Sequence, residues 1–160
     1  MAATDIIIRP ATVADVGTIA ELWVELIDMH AALDSDFTRG DNAAYNYSQI
    51  ILQHIANKKD SIVLVAEKEG QLIGYALAIH GRSQPLFKIT HYGEIIDFMV
   101  TSAHRRSGVG RLLYAHLNNW FKERNIVSVE LRASIFNEES NPFWRRMGFT
   151  PTMYLMNKKG

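Results

Sequence analysis

The stretch Val100-Thr101-Ser102-Ala103-His104-Arg105-Arg106-Ser107-Gly108-Val109-Gly110-Arg111 carries the clearest chemistry in the chain. It reads as a strand end, a basic turn with glycines, and the start of a helix. The first N–H groups of a helix have no partner inside it, and the helix dipole favours negative charge at that end. Glycines let an anion approach the backbone closely, while Arg105, Arg106 and Arg111 add charge and planar donor forks suited to phosphate oxygens. A phosphate-bearing ligand fits this form; a plain surface turn with incidental arginines is the competing reading. Two other phosphate motifs do not fit. A dinucleotide fingerprint requires a third glycine where Leu113 stands, and a Walker A loop requires a Gly-Lys-Ser/Thr tripeptide that the chain lacks.

The elements that must position this turn come from a chain of 160 residues, 48% hydrophobic and 21% charged, which is the range of one ordinary domain (1–160) with a sizeable core. Lys plus Arg (17) balances Asp plus Glu (17), so there is no global positive field to hold a nucleic-acid backbone or an anionic membrane. With no cysteine, disulfides, thiolate metal sites and cysteine nucleophiles are excluded. The 6 histidines, among them His104 beside the basic turn, form no ligand pair such as His-x-x-x-His, so no metal is expected. No basic leader opens the sequence and no apolar run approaches the roughly 18 residues of a membrane span, which makes a cytoplasmic location the expectation.

Ile6-Ile7-Ile8 reads as a strand, and Thr12 with Asp15 resembles a capping box before a helix carrying Val16, Ile19, Ala20, Trp23, Leu26 and Ile27 to about His30. A second helix is predicted from about Asn42 to Asn57, capped by Asp41, with Ala43, Tyr47, Ile50 and Ile51 on its apolar side. Ser61 to Glu67 and Gln71 to Ile79 form a hairpin about Lys68-Glu69-Gly70. Glu94 to Val100 is a further strand, and the basic turn opens a helix to about Glu123. Val127 to Ala133 alternates as a strand, Asn141-Pro142 starts a short helix that Gly148 stops, and Thr152 to Asn157 reads as a final strand. A mixed sheet with helices on its faces is the economical layout.

The turn resembles the acyl-CoA pyrophosphate loop of the GNAT superfamily of N-acetyltransferases, Gln/Arg-x-x-Gly-x-Gly/Ala, matched by Arg105, Gly108 and Gly110. Ile8-Arg9-Pro10-Ala11 with Asp15 is similar to the opening of that family, and Gly74-Tyr75 to its third strand. Asn137, Ser140, Trp144 and Gly148-Phe149 stand at the spacings of its Asn-x-x-Ala, Tyr and Gly-Phe positions. The resemblance implies an α/β (α+β) fold with a mainly antiparallel central sheet of six to seven strands and about four helices. It implies acetyl-CoA as cosubstrate, held by Arg105, Arg106, Ser107, Gly108, Val109, Gly110 and Arg111. Phe98, Met99 and Val100 would supply backbone N–H groups to the oxyanion, and Asn137, Ser140 and Trp144 would complete the cofactor side.

The implied reaction is direct attack of an amine on the thioester. An aliphatic amine, with an ordinary pKa of about 10.4, is mostly protonated near neutrality, so a base is needed. Glu94 and Asp97 are the candidates on the implied strand; period-two alternation puts them on opposite faces, and Glu94 is favoured. Trp144 stands where the family often carries a tyrosine acid, and an indole N–H does not release a proton at neutral pH. Tyr154 is the first substitute, with Tyr92 and Tyr114 behind it. Asp28, Asp34, Asp36 and Asp41, with Phe87, His91 and Tyr92 opposite, would suit a cationic acceptor: a polyamine, an aminoglycoside, or a protein lysine or N-terminus. Neither nucleic acid nor membrane is an expected partner, and a homodimer is compatible with the sequence. The alternatives from other classes are a non-catalytic acyl-CoA-binding or sensing module, motivated by Trp144, and a nucleotide-binding cradle.

Overall fold

Glu69 and Gly70 reverse the chain with φ of 51° and 77°. Two successive left-handed residues give the tight turn whose twist matches that of the strands it joins. These strands, β2 (Ser61–Lys68) and β3 (Gln71–Arg82), lie at the middle of the sheet in the computed structural model, which describes residues 5–160. β1 (Ile6–Pro10) pairs with β2 and β4 (His91–Val100) with β3, all antiparallel. β5 (Val129–Leu131) pairs in parallel with β4, giving the order β1-β2-β3-β4-β5. The sheet is thus mixed and mostly antiparallel, as expected, but has five strands among the described residues rather than six or seven. Thr152 to Asn157 joins no ladder. Its composition suits a strand, but composition expresses a preference for pairing and does not supply a partner.

Alternation along the strands builds two cores. Val63, Val65, Tyr75, Leu77 and Met99 face α1 (Val16–Leu33) and α2 (Ala43–Ala56), against Ile19, Leu22, Leu26, Tyr47 and Ile51. Leu64, Ala66, Ala76, Ala78 and Ile95 face α3 (Val109–Glu123), against Val109, Leu113, Leu117, Trp120 and Phe121. Each fully buried large side chain contributes about 1.5–3 kcal/mol of transfer free energy. A short α4 (Ser140–Arg146) closes the α3 side. The residue before α2 is Asn42, at φ 55°, rather than Asp41, and Ile50 faces outward where a buried position was expected. α3 begins at Val109 because Arg105 to Gly108 are spent in the turn.

Two contacts give measurable consequences. A Cβ on Gly74 would lie 2.6 Å from the Met99 carbonyl oxygen, so a side chain here forces β3 and β4 apart. Gly74→Ala is expected to destabilise the fold by about 1–3 kcal/mol in urea unfolding. At the β1–α1 junction the Asp15 carboxylate accepts from the Thr12 N–H (2.7 Å) and from Arg9 (2.7 and 3.0 Å), and Arg9 also reaches Glu67 at 2.9 Å. Hydrogen bonding from Arg9, aided by Thr12 and opposed by burial, lowers the Asp15 carboxyl from 3.8 to about 2. A depressed carboxyl stabilises the fold above its unfolded value and loses that contribution as pH falls through its folded one. Stability should therefore fall by at most about 2 kcal/mol between about pH 4 and pH 2 on this account, and Asp15→Asn should lack that component.

Candidate functional site

β4 does not alternate throughout. Leu77 pairs with Asp97 and Ala78 with Ile95, leaving Ile96 as an extra, outward-facing residue. One inserted residue reverses the faces beyond it. Ile95 and Phe98 consequently share the α3 side, and Glu94, Asp97 and Met99 share the α1–α2 side. The expectation that Glu94 and Asp97 point to opposite faces is corrected by this bulge.

Asp97 accepts a 2.7 Å hydrogen bond from the Tyr47 hydroxyl, which is 3.0 Å from the Tyr75 hydroxyl. Tyr47 is held by stacking on Trp23, with ring centroids 4.4 Å apart. Burial raises the Asp97 carboxyl above its ordinary value, and the Tyr47 hydrogen bond and nearby His30 pull it partly back. Both phenols are pushed up, chiefly by burial, so they remain protonated donors. Sequence spacing singles out neither Tyr47 nor Tyr75 as functional. Helical spacing marks Tyr47 as core, and only the rule that a buried phenol seeks a partner hints at more.

The edge of β4 opens just beyond the bulge. β5 pairs only with Gly93 to Ile95. The Thr101 N–H donates to the Ile73 carbonyl, and antiparallel alternation then turns the N–H and C=O of Phe98 and Val100 away from β3. The Val100 carbonyl accepts instead from Arg105 Nε at 3.0 Å, while the Phe98 and Val100 N–H groups face the open edge. Met99 differs from both: its backbone groups turn toward β3 and its side chain is buried.

After a short 3-10 turn (Ser102–His104), Arg106 and Gly108 adopt φ of 59° and 90°, and α3 begins. The N–H groups of Arg106, Ser107, Gly108, Val109, Gly110 and Arg111 find no acceptor among the described residues. Gly108 is open, since a Cβ there would meet nothing within 4 Å, whereas one on Gly110 would come within 3.3 Å of Phe143. Buried Val109 anchors the turn, and the Ser107 hydroxyl donates to the His104 carbonyl. The arginines divide. Arg105 spans from Val100 to Glu139 at 3.0 Å and is used within the chain, whereas Arg106 and Arg111 are exposed and have no carboxylate partner among the described residues. Such a set of donors can take a multiply charged anion without displacing any internal hydrogen bond.

Across the turn, buried Asn137 accepts from the Ser140 N–H at 3.0 Å and starts α4, with Pro142 tolerated in its first turn. Trp144 sits among Phe98, Tyr114, Phe143 and Phe149 with centroids 4.9–6.3 Å away, so it packs behind the open edge. Burial raises the Tyr114 hydroxyl. Tyr154 lies exposed in the C-terminal segment and makes no hydrogen bond to Asp97. The acidic residues expected to attract a cation are largely engaged: Asp28 by Arg39 at 2.7 Å, Asp36 by Lys159 at 2.9 Å, and Asp34 by the Asp36 N–H. Glu94 remains half-buried on the same face as Asp97.

Residues 26–149 match the acetyltransferase (GNAT) family. The chain belongs to the GNAT acetyltransferase family. Solved structures share the fold of this GNAT chain. A tetramutant of the BH1408 protein from Bacillus halodurans superposes with a TM-score of 0.81 at 22% identity, over 96% of this chain and 99% of that one. A predicted acetyltransferase from Clostridium acetobutylicum, solved with acetyl-CoA, gives 0.75 at 20% identity over 96% of each chain. The aminoglycoside 6'-N-acetyltransferase AAC(6')-IG from Acinetobacter haemolyticus gives 0.74 at 22% identity, over 96% of this chain and 97% of that one. No curated protein matches the sequence. No helix of this GNAT chain, among its described residues, is long and apolar enough to cross a membrane.

Proposed function

We propose that this chain transfers the acetyl group of acetyl-CoA directly to an amine, with a small cationic amine or a protein lysine or N-terminus as the acceptor class. The observation that carries this reading is the run of unpartnered N–H groups from Arg106 to Arg111, continuous with the open edge of β4 at Phe98 and Val100. In this reading the turn and α3 hold the pyrophosphate through backbone donors, helped by Arg106 and Arg111. Arg105 acts by fixing the end of β4 to the start of α4. Asn137 and Ser140 shape the opposite wall, and Trp144 supports Phe98 from behind.

When bound, acetyl-CoA supplies an activated acyl carbonyl. The Phe98 and Val100 N–H groups donate to the oxygen that gains charge as the amine nitrogen attacks. Asp97 accepts the proton that the amine must lose, its raised carboxyl being a better base than an ordinary one. We place this role on Asp97 rather than Glu94 because Asp97 has burial and a positioning phenol, while Glu94 lies beside it. As the C–N bond forms, the C–S bond breaks and the sulfur leaves as a thiolate. With a thiol pKa of about 8.5, it departs without a strong acid, so Trp144 in place of a phenol is no bar to turnover. Tyr154, Tyr114 or water can then deliver the final proton.

The test is CoA thiol release with acetyl-CoA and a panel of acceptors: diamines, aminoglycosides, aminosugars and a lysine peptide. Acetyl transfer to at least one amine is expected, and cationic small molecules should lead. Tight acetyl-CoA binding with no transfer to any amine class would favour the binding-module reading.

A further inference from the structure

Where β1 ends at the edge of the sheet, a hollow of about 240 Å³ opens between α2 on one face and α3 on the other. Ile55, Ile62 and Val63 give it apolar walls, and Trp120 adds an indole. Its size selects the ligand. The volume exceeds the roughly 150 Å³ of an engineered cavity that takes benzene and falls short of the roughly 300 Å³ at which sites for drug-sized ligands begin, so one ring fits and a nucleotide does not. The walls are braced from within the chain. Arg124 lies over the Trp120 ring at 4.1 Å and donates to the Lys58 carbonyl at 3.3 Å, which ties α3 to the turn after α2.

Two nitrogen groups give the hollow a sign. The ring of half-buried His54 makes no hydrogen bond to any described residue, and exposed Lys58 has no carboxylate partner among them. The Ser61 hydroxyl is already spent on the His54 and Asn57 carbonyls. No other titratable group lines the hollow: β1 and the residue after it bring Pro10 and Ala11, and α3 brings Trp120 with the Arg124 guanidinium over its ring. Burial lowers the His54 imidazole from its ordinary value, so the ring is neutral near neutral pH.

We propose that this hollow is a binding site, separate from the turn before α3, for a small aromatic carboxylate, with its ring against Trp120 and the apolar walls and its carboxylate beside His54 and Lys58. The two halves of the lining exclude the simpler ligands. A neutral ring would leave both nitrogen groups unanswered, and an inorganic anion would leave the apolar walls without a partner. An anion beside the imidazole favours its protonated form, so binding takes up a proton. The affinity is therefore greatest below the bound-state value of His54 and declines as pH rises through it.

Benzoate is the probe, titrated into the full chain by calorimetry. A Kd on the order of 1 mM is expected at about pH 6, weakening at least about 5-fold by about pH 8. Benzyl alcohol, which keeps the ring and lacks the charge, should bind at least about 10-fold more weakly. His54→Gln should weaken benzoate binding and flatten its pH dependence. Heats measured in two buffers of different ionisation enthalpy report the proton uptake on the unaltered protein, so this readout needs no variant. Gly108→Trp should bind benzoate as the parent does, which separates the hollow from the free N–H groups of the turn before α3. No binding at about 10 mM benzoate, equal binding of benzyl alcohol, an affinity flat between about pH 6 and pH 8, or loss of binding in Gly108→Trp would each overturn the proposal.

Discussion

Asp97→Asn should lower kcat for amine acetylation by about 10²–10⁴-fold while leaving acetyl-CoA affinity unchanged. The carboxylate is held in place by Tyr47, and the asparagine keeps an oxygen to accept the same 2.7 Å hydrogen bond, so geometry is conserved while basicity is lost. Stability separates this from a folding defect. Burial raises the Asp97 carboxyl, which means that ionisation costs the folded state and that the cost disappears as pH falls through the raised value. The neutral asparagine escapes that cost, so the variant should be at least as stable as the parent at pH 7. Tyr47→Phe supplies a finer readout. The phenol favours the ionised carboxylate, so its removal should move the acid limb of kcat/KM upward by on the order of 1 pH unit, with the stacking on Trp23 retained. Glu94→Gln is the matched control and should lose much less. Full turnover by Asp97→Asn together with a collapse in Glu94→Gln would move the base to Glu94.

Gly108→Trp should reduce acetyl-CoA affinity by at least about 100-fold in calorimetric titration, roughly 2.7 kcal/mol of lost binding. Gly108 lies at the centre of the free N–H groups, and a side chain there projects into space that is otherwise open. A Cβ at this position meets nothing within 4 Å, so the branch point of the new side chain is accommodated. The fold bears only the strain of a non-glycine residue at φ 90°, about 1–3 kcal/mol. Gly108→Ala carries that strain with little bulk, and should retain most of the affinity that the tryptophan removes. Equal affinity in the parent and Gly108→Trp would mean that the ligand binds elsewhere.

Local signals carried much of this architecture. Glu69-Gly70 announced the hairpin, Thr12 with Asp15 announced the start of the first helical segment, and Gly108 and Gly110 announced the turn before α3. What local signals missed is non-local. The shared face of Glu94 and Asp97 depends on one extra residue, Ile96, which is visible only when β4 is laid against β3. The bond between Tyr47 and Asp97 joins positions 50 residues apart and depends on that same register. Arg105 matches the motif as well as its neighbours do, yet Glu139 and Val100 engage it, and no spacing rule distinguishes an arginine that braces a loop from one free for a ligand. Thr152 to Asn157 shows the opposite failure: its strand composition is plain, but its partner is not in the described part of the same sheet.

We propose the turn before α3 as a cradle for acetyl-CoA rather than for another phosphate ligand. The most direct measurement is thermal unfolding with acetyl-CoA, CoA, NAD and ATP, each at saturation. A ligand at about 100 times its Kd stabilises the folded state by about 2.7 kcal/mol, enough for a rise of several degrees in Tm. Acetyl-CoA and CoA should raise Tm, and NAD and ATP should not. A rise with ATP or NAD and none with acetyl-CoA would contradict the account and make the cradle a nucleotide site.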